Sequence, residues 1–224
     1  MDAVSSPEQI APRSGALWRI RWAMPFAFVL AGLAVSPIDV AVASVFKEER
    51  SFAVLDHQLR EALEICEAFG HGFGATLIVI AVVVLDPLKR RCLPWLFAGS
   101  LGSGLVANLM KLLVHRTRPR DFDLATGTVW DTFVRGNGDF GGMQSFPSAH
   151  TATATGLAIV LAALYPQGRW LFSILALLVG IQRIATLAHF PSDVCIGAAV
   201  GCAVGMVCVT SMTSHCGMRQ PSAT

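Results

Sequence analysis

Charge is what this sequence has least of. Asp, Glu, Lys and Arg make up 14% of its 224 residues, against about a quarter in a soluble domain. That deficit excludes an ordinary water-soluble globule. The formal charge of +2 and the lack of any long basic tract give no footprint for nucleic acid. Cys66, Cys92, Cys195, Cys202, Cys208 and Cys216 fall at irregular spacing with no CxxC pair. This argues against a zinc site and a disulfide framework alike, and the cysteines read as small apolar packers. What the chain does have is hydrocarbon: 54% of it is hydrophobic and the mean hydropathy is +0.58. Long uncharged runs make it an integral membrane protein.

The runs divide an all-α chain into about six transmembrane helices, expected to pack as one bundle. The first covers Trp22 to about Ser36 and resumes past Pro37 and Asp39 to Phe46. Ala34-Val35-Ser36 after a short apolar core resembles the end of a secretory leader, but the remaining spans need this one for their topology. Residues 47–69 are predicted to form an amphipathic helix at the membrane surface. Leu55, Leu59, Ala62, Leu63, Cys66 and Phe69 lie on one face, with Asp56, Arg60, Glu61, Glu64 and Glu67 opposite. The second span is Gly70 to Leu85 and the third, rich in small residues, is Cys92 to Val114. A polar loop, His115 to Phe146, ends glycine-rich (Gly136, Gly138, Gly141, Gly142). The fourth to sixth spans are Ala149–Leu164, Trp170–Ala188 and Val194–Val209, the last with Gly197, Gly201 and Gly205 as a packing stripe. Residues 1–21 and 213–224 are read as cytoplasmic tails, 22–212 as the six-helix domain, and 92–210 as its motif-bearing core.

An even number of spans puts both termini on one side. Lys89-Arg90-Arg91, Arg169 and the N-terminal arginines share it, which makes it cytoplasmic. Arg116, Arg118, Arg120 and Arg135 break that rule in the long outer loop and therefore need anionic partners. The same outer rim collects three groups of residues: Lys111 with Arg118-Pro119, Pro147-Ser148-Ala149-His150, and Arg183 with His189 and Asp193. Ionisable side chains are expensive at a membrane boundary, so their conjunction marks a site. Lys111, Arg118 and Arg183 suit an anion with several oxygens. Ser148 is a good N-cap, and the backbone N–H groups that follow it, Ala149 first, form an anion seat. Two histidines, His150 and His189, can attack and protonate. Asp193, four residues past His189, is expected to accept its Nδ1–H. A turn is predicted at Pro191, with Ser192 or Asp193 opening the last span. His57, His71, His115 and His215 are read as structural. Asp39 and Asn108 are expected to face the bundle interior without a direct part in the chemistry.

These residues resemble the type 2 phosphatidate phosphatase and vanadium haloperoxidase superfamily, whose signature is K-x6-R-P, P-S-G-H and S-R-x5-H-x3-D. Here it reads Lys111 through Arg118-Pro119, Pro147-Ser148-Ala149-His150, and Gln182-Arg183 through His189 to Asp193. The motifs stand in the family's order, and the resemblance covers about residues 70–210. It implies a membrane lipid phosphatase that works without a metal or other cofactor through a phosphohistidine. His189 would be the nucleophile, oriented by Asp193. His150 would be the proton donor, and Lys111, Arg118, Ser148, Ala149 and Arg183 would bind the phosphate.

The implied partner is a phosphorylated lipid in a bilayer: undecaprenyl diphosphate, phosphatidylglycerol phosphate, phosphatidate or a lipid A phosphate. The implied place is a bacterial inner membrane with the site on its periplasmic face. Two positions depart from the signature. Ala149 stands for glycine and keeps the N–H, whereas Gln182 stands for serine and replaces a hydroxyl with a bulkier amide. Phosphotransfer to another acceptor through the same intermediate, or a non-enzymatic lipid-binding or transport role, are the alternatives. A haloperoxidase would be larger and soluble. Neither the lipid nor the oligomeric state is legible.

Overall fold

The computed structural model describes residues 14–48, 57–134 and 144–216. Helix α1 (Ser14–Val35) runs through a single 3-10 turn into α2 (Asp39–Glu48). A short amphipathic helix, α3 (His57–Glu67), then turns into α4 (Gly72–Leu85). The third span is built from α5 (Leu93–Phe97), a π-helical turn at Ala98–Gly102 and α6 (Ser103–Met110). After the loop come α7 (Ala149–Leu164), α8 (Arg169–Ala185) and α9 (Pro191–Cys216). Arg135, the glycines at 136–142, and Leu55 and Asp56 of the expected amphipathic face lie outside the described residues.

Among the described residues four helices are long and apolar enough to cross a membrane: Trp22–Lys47, Pro87–Met110, Pro166–Ala185 and Pro191–His215. The expected six is approached only by adding two shorter pieces. One is the pair Glu61–Glu67 and Gly72–Leu85, bent by 68°. The other is α7, whose 16 residues span about 24 Å, short of the ~30 Å hydrocarbon core. Its place explains the brevity. Ala152, Ala154, Leu157 and Val160 are fully buried around its circumference, as expected for a helix apolar on every side. It is the axis of the bundle, and the longer helices screen it from lipid.

Close approach to that axis requires small residues. A Cβ on Gly201 of α9 would come within 2.5 Å of the Ala152 carbonyl oxygen, and one on Gly197 within 2.4 Å of that of Ser148. The stripe therefore lets the α9 backbone lie directly on α7. Among the described residues Cys66, Cys195, Cys202 and Cys208 are free thiols, and Cys92, Cys202 and Cys208 are buried.

The two ends of α7 define the two ends of the protein. At the C-terminal end Lys89 Nζ donates to the Leu164 carbonyl at 2.8 Å and pairs with Asp86 at 3.3 Å, which puts the basic turn there. At the N-terminal end lie Ser148, His150 and the outer loop. That loop contains no α-helix among the described residues, only 3-10 turns at Pro119–Asp121 and Val129–Thr132. It is tied at Arg116, which bridges to both Phe133 and Gln144.

Candidate active site

Three local devices set the site's backbone. The first is the start of α7. Ser148 is fully buried, and its hydroxyl accepts from the Thr151 N–H at 3.4 Å and the Thr151 hydroxyl at 2.9 Å. Ser148 is thus a working N-cap, while Ala149 and His150 occupy the first turn, where backbone N–H groups have no partner within the helix. The second is the end of α8. Leu187 takes a left-handed φ of 54°, and the N–H groups of Ala188 and His189 both return to the Arg183 carbonyl, at 3.1 and 3.2 Å. This tight reversal, of the kind that ends helices, brings His189 back beneath Arg183.

The third is the start of α9, which begins at Pro191, earlier than expected. Pro at the first helical position has a fixed φ that suits a helix start. Asp193 then sits in the first turn, and its Oδ2 accepts the Phe190 N–H at 2.9 Å. That is the return half of a capping box.

This geometry corrects the expected contact between His189 and Asp193. Nδ1 of His189 lies 2.6 Å from the Ser145 carbonyl oxygen and 3.9 Å from Asp193 Oδ2. Helix α9 has already turned the carboxylate toward other donors. Asp193 accepts from the Ser145 hydroxyl at 2.6 Å and from Arg116 Nη1 at 2.5 Å. It reaches the imidazole through Ser145, whose hydroxyl it holds and whose carbonyl holds the ring. A carbonyl oxygen can only accept, so the proton is on Nδ1 and Nε2 keeps its lone pair.

Behind Asp193 lies a network that the sequence did not announce. Arg116 is fully buried. It donates to Thr132 Oγ1 at 2.9 Å, Ser192 Oγ at 2.8 Å and Asp39 Oδ2 at 2.7 Å, besides Asp193. Its guanidinium stacks between the rings of Phe133 (4.6 Å) and Phe190 (4.2 Å). Asp39 also accepts the Ser192 N–H at 3.0 Å, and the Ser192 hydroxyl makes a very short bond to it. One arginine therefore joins α2, the outer loop and the start of α9. Asp39 does face the interior as expected, whereas Asn108 is exposed. The signal for Arg116 was its place in an outer loop with too many arginines, but its partner Asp39 is 77 residues away.

The cations gather over the histidines. Lys111, immediately after α6, is 8% exposed, and burial, with Arg118 beside it, brings its ammonium down to about 8. Burial, then the charge of Lys111, keeps the His189 imidazole well below its ordinary range, hence neutral at pH 7. Among the described residues, the buried side-chain nitrogens or oxygens with no hydrogen-bond partner are Nε of Arg118 and Nε2 of His150. Two nitrogens without a hydrogen bond in one cationic pocket, His150 Nε2 lying 3.5 Å from Glu67 Oε1, suit an acceptor-rich anion. Arg183 is not idle: its Nη2 pairs with Glu67 Oε2 at 2.6 Å and its Nε donates to Gln182 Oε1 at 2.5 Å. Glu67 was expected on the polar face of a surface helix. Instead it ends α3 inside the site, and His71, expected to be structural, brings its ring within 5.6 Å of the His150 ring.

The low affinity of Lys111 for its proton makes a pH prediction. The ammonium is charged below pH ~8 and neutral above it, so kcat/KM for a phosphate ester should fall above that pH. In kcat the fall should come at higher pH, because a bound dianion raises the lysine's pKa. Lys111→Arg, whose guanidinium stays charged, should remove the alkaline limb. An unchanged limb in that variant would exclude Lys111 as its source.

Comparison with known proteins follows the same lines. The profile described as "PAP2 superfamily" matches residues 93–215. A lipid A 1-phosphatase of Rhizobium etli is 37% identical over 107 residues, 48% of this chain and 44% of that protein. The decaprenylphosphoryl-5-phosphoribose phosphatase of Mycobacterium tuberculosis is 32% identical over 139 residues, 61% of this chain and 71% of its own length. The chain thus spans less than half of the first of these relatives and most of the second. Among solved structures, a PAP2-type phosphatidylglycerolphosphate phosphatase from Bacillus subtilis superposes with a TM-score of 0.62. It covers 85% of this chain and 96% of its own at 18% identity. Aquifex aeolicus LpxE gives 0.52, covering 69% and 87% at 19% identity. These two show the shared fold.

Proposed function

The chain belongs to the PAP2 superfamily, and on that premise we propose that it is a lipid phosphatase. Its substrate would be a membrane lipid bearing a terminal phosphate, as a monoester or diphosphate. The observation that carries the reading is the contact of His189 Nδ1 with the Ser145 carbonyl oxygen. The Ser145 carbonyl at 2.6 Å fixes the proton on Nδ1 and leaves Nε2 as a neutral nucleophile among cations.

The proposed reaction has two steps. Nε2 of His189 attacks phosphorus while the bond to the lipid oxygen breaks, and His150 donates a proton to that oxygen. Burial and Arg183 bring the His150 imidazole down to about 4, and the negative charge of the bound phosphate favours the imidazolium that donates. His150 then takes a proton from water, which attacks phosphorus and breaks the P–N bond, releasing inorganic phosphate. Lys111, Arg118 and Arg183 balance the charge on the phosphoryl oxygens, aided by the N–H groups that open α7 beyond Ser148. Ser148 would act through its cap and Ala149 through its backbone N–H. With that much fixed positive charge the chemistry needs no metal ion.

A lipid is favoured as substrate because the site adjoins an apolar groove of ≈ 710 Å³ between α1, α7, α8 and α9. Thr151, Ile184 and Pro191 line its near end, and Phe28, Met206 and Val209 carry it inward. Thr151 and Ile184 directly follow His150 and Arg183 in the chain, which supports that groove as the place for the lipid's hydrocarbon. The named relatives act on lipid A and on a decaprenyl phosphosugar, so those lipid phosphates head the list, with phosphatidylglycerol phosphate, phosphatidate and undecaprenyl diphosphate. The basic turn at the other end of α7 supports a site on the periplasmic side of a bacterial inner membrane.

The test is phosphate release from a panel of these lipids by purified protein in detergent with EDTA present. At least one should be turned over, and isotope from labelled water should appear in the released phosphate. No release from any would overturn the reading. Loss of activity to the chelator would overturn the metal-free mechanism, and loss of substrate without release of inorganic phosphate would favour transfer.

A further inference from the structure

Glu67 has no part in the chemistry above, yet it lies at its centre. Its Oε2 is 2.6 Å from Arg183 Nη2 and 2.9 Å from the Gln182 amide nitrogen, and its Oε1 is 3.5 Å from His150 Nε2. Arg183 and His150 are two of the groups proposed to face the substrate phosphate. The carboxylate therefore holds part of the seat that a phosphoryl oxygen needs. It arrives from outside the motif-bearing helices, on the last residue of α3, directly before the 68° bend into α4. The chain around it is fitted to the site. A Cβ on Gly70 would come within 2.6 Å of the His150 carbonyl oxygen and 2.7 Å of Val179, so only glycine lets the bend rest there. Gln182 is 1% exposed. It donates to Glu67 with its nitrogen and accepts from Arg183 with its oxygen, holding acid and base together.

We propose that Glu67 is a specificity residue: a tethered carboxylate that shares the phosphate seat and must be displaced by the ligand. The proposal rests on the phosphatase reading of this same site. Its logic is charge. A carboxylate and a phosphodiester each carry one negative charge, whereas a phosphate monoester approaches two at neutral pH. The diester headgroups of ordinary phospholipids are the commonest anions at a membrane surface, and each is a potential competitor for Lys111, Arg118 and Arg183. Against them an intramolecular carboxylate has equal charge and a high effective concentration, so it keeps the seat. A dianion gains more from three cations than Glu67 does and takes it over. The same competition helps the product leave, because Glu67 reclaims Arg183 as inorganic phosphate dissociates. Gln182, the departure from the family's serine, is the residue that holds the carboxylate in register.

The experiment compares wild type, Glu67→Gln and Gln182→Ser in detergent. Calorimetry would measure affinity for inorganic phosphate and for dihexanoylphosphatidylglycerol, a soluble singly charged diester. If the seat is open to ligand about a tenth of the time, removing the competitor tightens binding roughly tenfold. The diester should gain that much or more and phosphate less, so that selectivity narrows. Gln182→Ser should move both affinities the same way by a smaller factor.

Weaker phosphate binding in Glu67→Gln would instead show that the carboxylate only positions Arg183. Unchanged affinities would show that it does not compete. Either result overturns the proposal, and because the readout is binding, both remain separate from a failure of turnover. If Glu67→Gln does not fold, the Gln182→Ser pair of affinities decides by the same criteria.

Discussion

Replacing His189 with alanine should leave the bundle folded and lower phosphate release by roughly 10⁴-fold or more, the scale seen when a nucleophile is removed. The site is ready for that role because every other demand on the imidazole is met. Its Nδ1–H is donated to Ser145, burial and Lys111 keep it neutral, and it is 4% exposed, so little water reaches it. In the proposed mechanism, removing it takes away the group that would form the P–N bond. With a phosphorus-labelled lipid substrate and an alkaline denaturing quench, which preserves an acid-labile P–N bond, wild type should retain label on the protein and His189→Ala none.

His150→Ala should behave differently. Its loss would remove the proposed proton donor and should cost ~10²–10⁴-fold, more with a poor leaving alkoxide than with a diphosphate, whose leaving phosphate needs less protonation. A His189→Ala enzyme that still turned over at a tenth of the wild-type rate would sink the mechanism, whatever His150→Ala did.

Replacing Arg116 with methionine should be the most destabilising single change in the outer half of the protein. It strands two buried carboxylates, Asp39 and Asp193, each fully buried, and breaking a buried pair of this kind costs about 3–5 kcal/mol. The loss should appear as a lower midpoint of thermal unfolding in detergent. Asp39→Asn should cost less, because it leaves the Arg116–Asp193 pair at 2.5 Å intact and the amide oxygen can still accept from Ser192. In the folded fraction of Arg116→Met, kcat should also fall. Asp193 holds the Ser145 hydroxyl, and the Ser145 carbonyl holds His189. An unaltered unfolding midpoint in Arg116→Met would show that the network is not what ties α2, the loop and α9 together.

The elements that were legible in the sequence are those whose signal is local. Apolar runs marked the helices because a residue's partition into hydrocarbon depends on itself and its neighbours. The glycine stripe of α9 could be read because a helix repeats every turn, and contacts at Ser148 and Ala152 bear it out. The motif residues could be placed on one rim from helix order alone.

Span number was less legible, because α7 falls short of the full hydrocarbon thickness and is sheltered by its neighbours. The His189–Asp193 contact was misjudged for a local reason with a distant cause. The spacing would allow it, but α9 starting at Pro191 turns the carboxylate toward Arg116 and Ser145.

What only the tertiary structure decided is where the buried charges pair. Arg116 finds Asp39 across 77 residues, and Gln182 finds Glu67 across 115. No propensity or period links such positions. Each charge must be matched when folding strips its water, and the partner is whichever residue the packed helices bring within reach. The sequence by itself determined that this is a helical membrane protein with two histidines and three cations at one rim. Packing decided that one imidazole keeps its proton on Nδ1, that a buried arginine stands behind its support, and that a glutamate from a surface helix sits among the cations.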